Sequence, residues 1–239
     1  MAQVIFITAT DTGAGKTLLT SLCVSMLLQT GQRAIAIKPF CSGSRDDVEL
    51  LYRVQGGQIS KKLINPFYFD ESVAPLVAMR RIRRTIPIPA VNSHIEAMSS
   101  RCDWLLVEGA GGLLTPLGEG FDFVDLIASK QSRVIIVAQN RLGVINHSRL
   151  TINSLTEIGT MEIRFVLMDT PSMDLARRTN RNVLSEFLHP IPVFSLPHFG
   201  PRITRSPAGI FDLAKKLKKT LARLLGEASL PPALVGGRR

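Results

Sequence analysis

The chain has 239 residues, 45% of them hydrophobic, and a formal net charge of +10. That length suits one α/β domain with a sizeable core, and the apolar content is ordinary for a soluble globular protein. No stretch is long and apolar enough to span a bilayer, and the first residues run into an apolar segment without a signal-type pattern, so a cytoplasmic location is expected. Cys23, Cys41 and Cys102 are scattered without metal-ligand spacing and are read as reduced thiols.

In chain order, residues 4–8 form an apolar run that reads as a strand. Residues 10–17, Thr-Asp-Thr-Gly-Ala-Gly-Lys-Thr, follow directly. A helix pattern over 17–30 comes next (Leu18, Leu19, Leu22, Cys23, Met26, Leu27), closed by Gly31 in the place of a left-handed C-terminal residue. Strand, glycine-containing loop and helix N-terminus make a phosphate cradle of backbone N–H groups. Lys16 adds a charge for β- and γ-phosphates, and the Thr17 hydroxyl can ligate Mg²⁺. Thr10 stands where such loops usually carry their first glycine. The plainer alternative is an ordinary strand-to-helix turn, which the flanking elements argue against.

Further strands are expected at 33–38, 104–108, 134–138, 163–168 and 192–196. Helices are expected at 46–54, 91–100, 123–129, 146–158, 173–188 and 208–225, with Gly159 closing the fourth of these. Residues 65–89, with Pro66, Pro75, Pro87 and Pro89, read as an irregular excursion. The expected organisation is one domain over 1–225 and a disordered tail over 226–239. Apolar strands alternating with helices predict a three-layer α/β fold, a mostly parallel twisted sheet with helices on both faces. Ligands of such sheets bind beyond the carboxyl ends of the strands.

Those ends carry candidate chemistry. Lys38 closes the second strand and would face the loop, where its charge could stabilise a transferring phosphoryl group; a surface lysine before Pro39 is the plainer reading. Asp46 and Asp47 follow. Glu108 closes the third strand, in Val-Glu-Gly-Ala-Gly-Gly over 107–112. With Thr17 and one of the two aspartates it makes an oxygen-rich set suited to Mg²⁺, and Gly109, Gly111 and Gly112 permit close backbone approach. Asn146 reads as an N-cap whose helix could hold a carboxylate, with Arg141 adding bidentate geometry. His147 has no evident partner.

These stretches together resemble dethiobiotin synthetase. The matching pieces are 10–17, Lys-Pro-Phe-Cys-Ser-Gly at 38–43, Asn-Pro-Phe at 65–67, Asp-Trp-Leu-Leu-Val-Glu-Gly-Ala-Gly-Gly at 103–112 with Thr-Pro-Leu at 115–117, and Leu-Gly-Val-Ile-Asn-His at 142–147. The resemblance implies a P-loop NTPase-like fold and an ATP- and Mg²⁺-dependent cyclo-ligase joining CO₂ to 7,8-diaminononanoate through a carbamate and a carbamic–phosphoric anhydride. It further implies that Gly13, Ala14, Gly15, Lys16, Thr17 and Leu18 hold the triphosphate, with Gly109, Ala110, Gly111, Asp169, Pro197, His198 and Phe199 completing the nucleotide site. Thr17, Asp47 and Glu108 would bind Mg²⁺, with Asp46 in reserve because residues 44–47 look shortened. Lys16 and Lys38 would neutralise the carbamate and the transferring group. Thr12, Ser42, Arg141, Leu142, Gly143, Val144 and Asn146 would contact the diamine acid, with the stretch 142–147 coming from the other subunit of a homodimer. The chain departs from the family pattern at Ala9, Gly13, the Ala-Pro-Leu of 74–76, and Met168, which replaces the amide of a purine-reading Asn-Asp pair. Relaxed nucleotide preference follows.

The rival reading is a partitioning or localising ATPase that binds DNA or membrane. The basic clusters (Arg80, Arg81, Arg83, Arg84; Arg177, Arg178, Arg181; Lys215, Lys216, Lys218, Lys219) would fit it. No base-reading motif or aromatic stacking set accompanies them, and the loop lacks the early lysine of those ATPases. They are read as solvated surface, and neither nucleic acid nor membrane is expected as a partner.

Overall fold

The computed structural model describes residues 2–130, 132–160 and 162–226; of the expected tail, all but Gly226 lies outside them. It opens with β1 (Gln3–Ala9), α1 (Lys16–Gln29), β2 (Ala34–Ile37), β3 (Phe40–Ser42) and α2 (Asp46–Val54). Next come α3 (Lys61–Ile64), β4 (Phe67–Phe69), α4 (Pro75–Arg81), α5 (Ile88–Ser99), β5 (Trp104–Glu108) and α6 (Phe123–Ala128). The second half holds β6 (Arg133–Asn140), α7 (Val144–Glu157), β7 (Ile163–Asp169), α8 (Leu175–Phe187) and β8 (Val193–Leu196). It closes with α9 (Pro201–Thr204), α10 (Pro207–Lys216) and α11 (Lys218–Leu225).

Six strands form one parallel sheet in the order β2-β5-β1-β6-β7-β8. Side chains alternate across it, as the pleat requires. Phe6, Leu105, Val107, Val134, Ile136 and Phe165 enter one core with residues of α5, α6, α7 and α8. Ile5, Ile7, Leu106, Ile135, Val137 and Val166 enter the other, with residues of α1, α2, α10 and α11. Phe6 meets Phe123 edge-on at 5.5 Å, locking α6 to the sheet. Helix α1 is buried almost all round, which explains its lack of a polar stripe.

The expected strands and most helices are present, and the differences have local causes. Residues 65–89 do leave the main sheet, but they are irregular only in part. Phe40 and Phe67 stack at 5.1 Å and align β3 with β4 as a small parallel sheet, while Pro75 and Pro89 sit in the first turns of α4 and α5, where a missing N–H costs nothing. The expected helix over 208–225 divides at Leu217 into α10 and α11. Asn146 is not an N-cap: α7 starts at Val144, and Gly143 takes the capping position at φ +91°, a conformation glycine tolerates. All three cysteines are buried and free; burial pushes the Cys23 thiol up to about 12 and that of Cys102 to about 11. Among the described residues no helix is long and apolar enough to cross a membrane.

Candidate functional site

The parallel order places the ends of β1, β2 and β5 side by side, and the loop after β1 closes over them. Thr10 donates its N–H to the Val137 carbonyl at 3.1 Å, Leu113 donates to Ala9 at 3.1 Å, and Gln139 Nε2 donates to the Gly13 carbonyl at 2.9 Å. Gly13 (φ +72°) and Gly15 (φ +104°) turn the chain into α1. Among the described residues no side chain caps α1, which leaves the first N–H groups of the helix, beside the cleft that residues 12–18 line, able to bind an anion.

Lys16 is buried. Its Nζ donates to the Gly111 carbonyl at 2.5 Å and to the Asp11 carbonyl at 3.3 Å. Burial lowers its pKa to about 8, against the opposing pull of Glu108. Beside it lies a compact charge cluster. Lys38 Nζ donates to Glu108 Oε1 at 2.8 Å and to Asp47 Oδ2 at 2.5 Å, and Thr17 Oγ1 donates to Glu108 Oε1 at 2.6 Å. Lys38 is held at its base by backbone bonds: its N–H donates to Ile64, and its carbonyl accepts from Asn65 Nδ2 at 2.9 Å. Burial would lower the Lys38 pKa, but the two carboxylates outweigh it and hold the ammonium well above the ordinary lysine range. Burial raises that of Asp47, yet Lys38 and the Thr17 hydroxyl bring it below the usual carboxylate range. Asp46 lines the cleft but joins no part of the cluster; its N–H bonds Ser44 Oγ at 3.1 Å.

Glu108 is buried, and its Oε2 has no hydrogen-bond partner among the described residues. An acceptor with that geometry, beside the Thr17 hydroxyl and the Asp47 carboxylate, fits a hard cation such as Mg²⁺. The described residues hold no group of three His, Cys, Asp or Glu side chains that could bind a metal unaided, so phosphate oxygens and water would complete the shell.

The cleft measures about 830 Å³. It takes in Thr12, Gly13, Ala14, Gly15, Thr17, Leu18, Lys38, Asp47, Gly111, Asp169, Pro197, His198 and Phe199 from the sequence expectations. Gly109 and Ala110 line no part of it; a side chain at Gly109 would meet the Phe123 ring at 3.0 Å, which is why glycine stands there. Ser42 also lies off the cleft, its buried Oγ without a partner among the described residues. Arg141 and Val144 line a separate small hollow with Asp11, Thr12 and His147, and Arg141 pairs with Asp11 at 3.1 Å. Leu142 is 85% exposed, and Asn146 lies in the first turn of α7.

Asp169, which lines the cleft, is held by two residues that sequence reasoning missed. Asp169 accepts from Arg177 Nη2 at 3.0 Å and from Asn140 Nδ2 at 2.8 Å. Arg177 therefore does not belong to a solvated basic face, whereas Arg80 and Arg81, though paired with Glu119 and Glu71, stay largely exposed, as the solvated reading expects. Met168 packs against the loop, 3.3 Å from where a Gly15 Cβ would sit.

A family model described as an AAA domain matches residues 3–200. The ATP-dependent dethiobiotin synthetase of Anaeromyxobacter sp. is 34% identical over 199 residues, covering 77% of this chain and 89% of that one. The chain belongs to the dethiobiotin synthetase family. The enzyme of that name from Akkermansia muciniphila is 32% identical, covering 76% of this chain and 85% of its own, and one from Escherichia coli K12 is 33% identical, covering 66% and 74%. Among solved structures, the MinC:MinD cell division protein complex of Aquifex aeolicus matches with a TM-score of 0.61 at 18% identity over 98% of this chain and 100% of that one. A ParA family ATPase of Chlorobium tepidum matches at 0.58 and 14% over 94% and 99%. At those identities the likeness is one of fold. The partitioning ATPase is thus a distant structural relation.

Proposed function

We infer that the protein is an ATP-dependent dethiobiotin synthetase, forming the ureido ring of dethiobiotin from 7,8-diaminononanoate and CO₂. The observation that carries the reading is the convergence of Lys16, Lys38, Thr17, Asp47 and Glu108 at one end of a cleft of nucleotide size. One amine of the substrate adds to CO₂ and releases a proton, giving a carbamate. A carbamate oxygen attacks the γ-phosphorus of ATP, ADP leaves, and a carbamic–phosphoric anhydride forms. The second amine then attacks the anhydride carbon, phosphate departs with its oxygen, and the ring closes.

Each step needs negative charge held in place. The loop N–H groups and Lys16 bind the triphosphate, and Lys16 follows the charge that moves to ADP. Lys38 orients the carbamate and stabilises charge on the transferring phosphoryl group. Thr17, Asp47 and Glu108 would hold Mg²⁺, which when bound offsets the charge of the β- and γ-phosphates. Met168, Asp169, Pro197, His198 and Phe199 would form the base site. With Asp169 held by Arg177 and Asn140, and no amide at position 168, base discrimination is weak. Ser42 and Thr12 would meet the diamine end. Arg141, Leu142, Gly143, Val144 and Asn146 would serve the neighbouring subunit of a homodimer. A cytoplasmic location goes with this reading.

The test is phosphate release from ATP with and without diaminononanoate and bicarbonate, with the product identified by mass. Release that needs both substrates and yields a cyclic urea supports the ligase. Release stimulated by DNA and indifferent to the diamine overturns it.

A further inference from the structure

We propose that Lys38 and the nucleotide's divalent cation compete for one pair of carboxylates, so that the Lys38 ammonium keeps the metal seat and must leave it before the metal enters. The proposal rests on reading this end of the cleft as a Mg²⁺–ATP site.

The argument is one of space and charge. Lys38 Nζ lies between Asp47 Oδ2 (2.5 Å) and Glu108 Oε1 (2.8 Å). Mg²⁺ takes oxygen ligands at about 2.0–2.1 Å in a near-ideal octahedron. A Mg²⁺ held by the unpartnered Glu108 Oε2, the Asp47 carboxylate and Thr17 Oγ1 would draw on the same two carboxylates that the ammonium already bridges through Glu108 Oε1 and Asp47 Oδ2. Even through the other lone pairs of the carboxylates, a dication beside a buried ammonium meets strong repulsion. The Lys38 side chain is only 8% exposed, so solvent screens little of it.

Two consequences follow. Free Mg²⁺ binds poorly to the protein alone, because it must evict an ion-paired lysine with nowhere to go. Nucleotide removes the obstacle: phosphate oxygens complete the metal shell and give the displaced ammonium a new anionic partner within the cleft that Lys38 already lines. Lys38 thereby reaches the reacting phosphoryl group only when metal and nucleotide are both present. The lysine thus has a positioning role in addition to its catalytic one, and metal admission is coupled to nucleotide.

Mg²⁺ titration by calorimetry, without nucleotide, tests this on wild type, Lys38→Met and Lys38→Gln. Both variants are expected to bind free Mg²⁺ about tenfold or more tightly than wild type, the glutamine retaining a hydrogen-bond donor for the buried carboxylate. Equal or weaker binding by the folded variants overturns the proposal. A measurement on wild type needs no variant: acylation of Lys38 by an amine-reactive reagent, read by mass spectrometry, should rise severalfold with MgCl₂ plus ADP over EDTA plus ADP. Equal labelling overturns the exchange. Failure of the underlying site reading looks different, since Asp47→Asn would then leave Mg²⁺ affinity in the presence of ADP unchanged.

Discussion

The two ends of the cleft are built on opposite principles. At the phosphate end a polar network holds the buried charges: Lys38 bonds Asp47 and Glu108, Thr17 bonds Glu108, and Lys16 bonds loop carbonyls. At the base end the walls include Met168, Pro171, Pro197 and Phe199, and the acidic group there, Asp169, is already taken by Arg177 and Asn140. Charge fixed in a buried network discriminates strongly between anions, whereas apolar walls accept any flat ring. On the proposed function, the difference teaches where selectivity would reside: in the polyphosphate and the reacting carbamate, and only slightly in the base.

The largest break in this contrast should come from Lys38→Met, expected to lower kcat about 100–1000-fold while nucleotide KM moves only a few fold. Steady-state kinetics with both substrates saturating checks it. Next, Glu108→Ala leaves the buried Lys38 charge with one partner and should cost about 3 kcal/mol of stability in urea unfolding, with a smaller loss for the half-exposed Asp47.

Lys16 supplies the third effect. Its pKa of about 8 lies below that of a free lysine, and bound phosphate should raise it again. The bound state then holds a proton that the free protein loses above pH 8. Nucleotide affinity should therefore fall with rising pH, about tenfold from pH 8 to 9 at most, with proton uptake visible as buffer-dependent heat. A flat profile would remove Lys16 from phosphate binding. The smallest effect is expected at the base end: kcat/KM for ATP, GTP and CTP within about tenfold of one another, and Met168→Asn shifting preference toward ATP by a similar factor. Exclusive ATP use by the native protein would contradict the apolar reading of that wall.

Legibility from sequence followed the same division. The phosphate loop, Lys38 and Glu108 were readable because each stands at a strand end with a local signature, a Gly-Lys-Thr turn or a charge closing an apolar run. Asp46 and Asp47 are neighbours that the sequence does not tell apart, and only the fold brings Asp47 rather than Asp46 to Lys38. The role of Arg177 was hidden in a basic run, since nothing local distinguishes a paired arginine from a solvated one. Asn146 was misplaced as a cap because an asparagine before a periodic segment is the usual signal, while here a glycine with positive φ starts the helix three residues earlier. The prolines of 65–89 suggested disruption, but two of them begin helices.

By itself the sequence determined the strand–loop–helix unit, the alternation that makes a parallel sheet, and the residues offered at each strand end. These depend on neighbours a few positions apart, where periodicity and turn chemistry act. Only the tertiary structure decided that Lys38 bridges Asp47 and Glu108, that Thr17 meets Glu108 across 91 positions of chain, and that Asp169 is already spoken for. Such pairings arise from strand order, β1 lying beside β5 and β5 beside β2, and strand order is set by how whole layers bury their apolar faces.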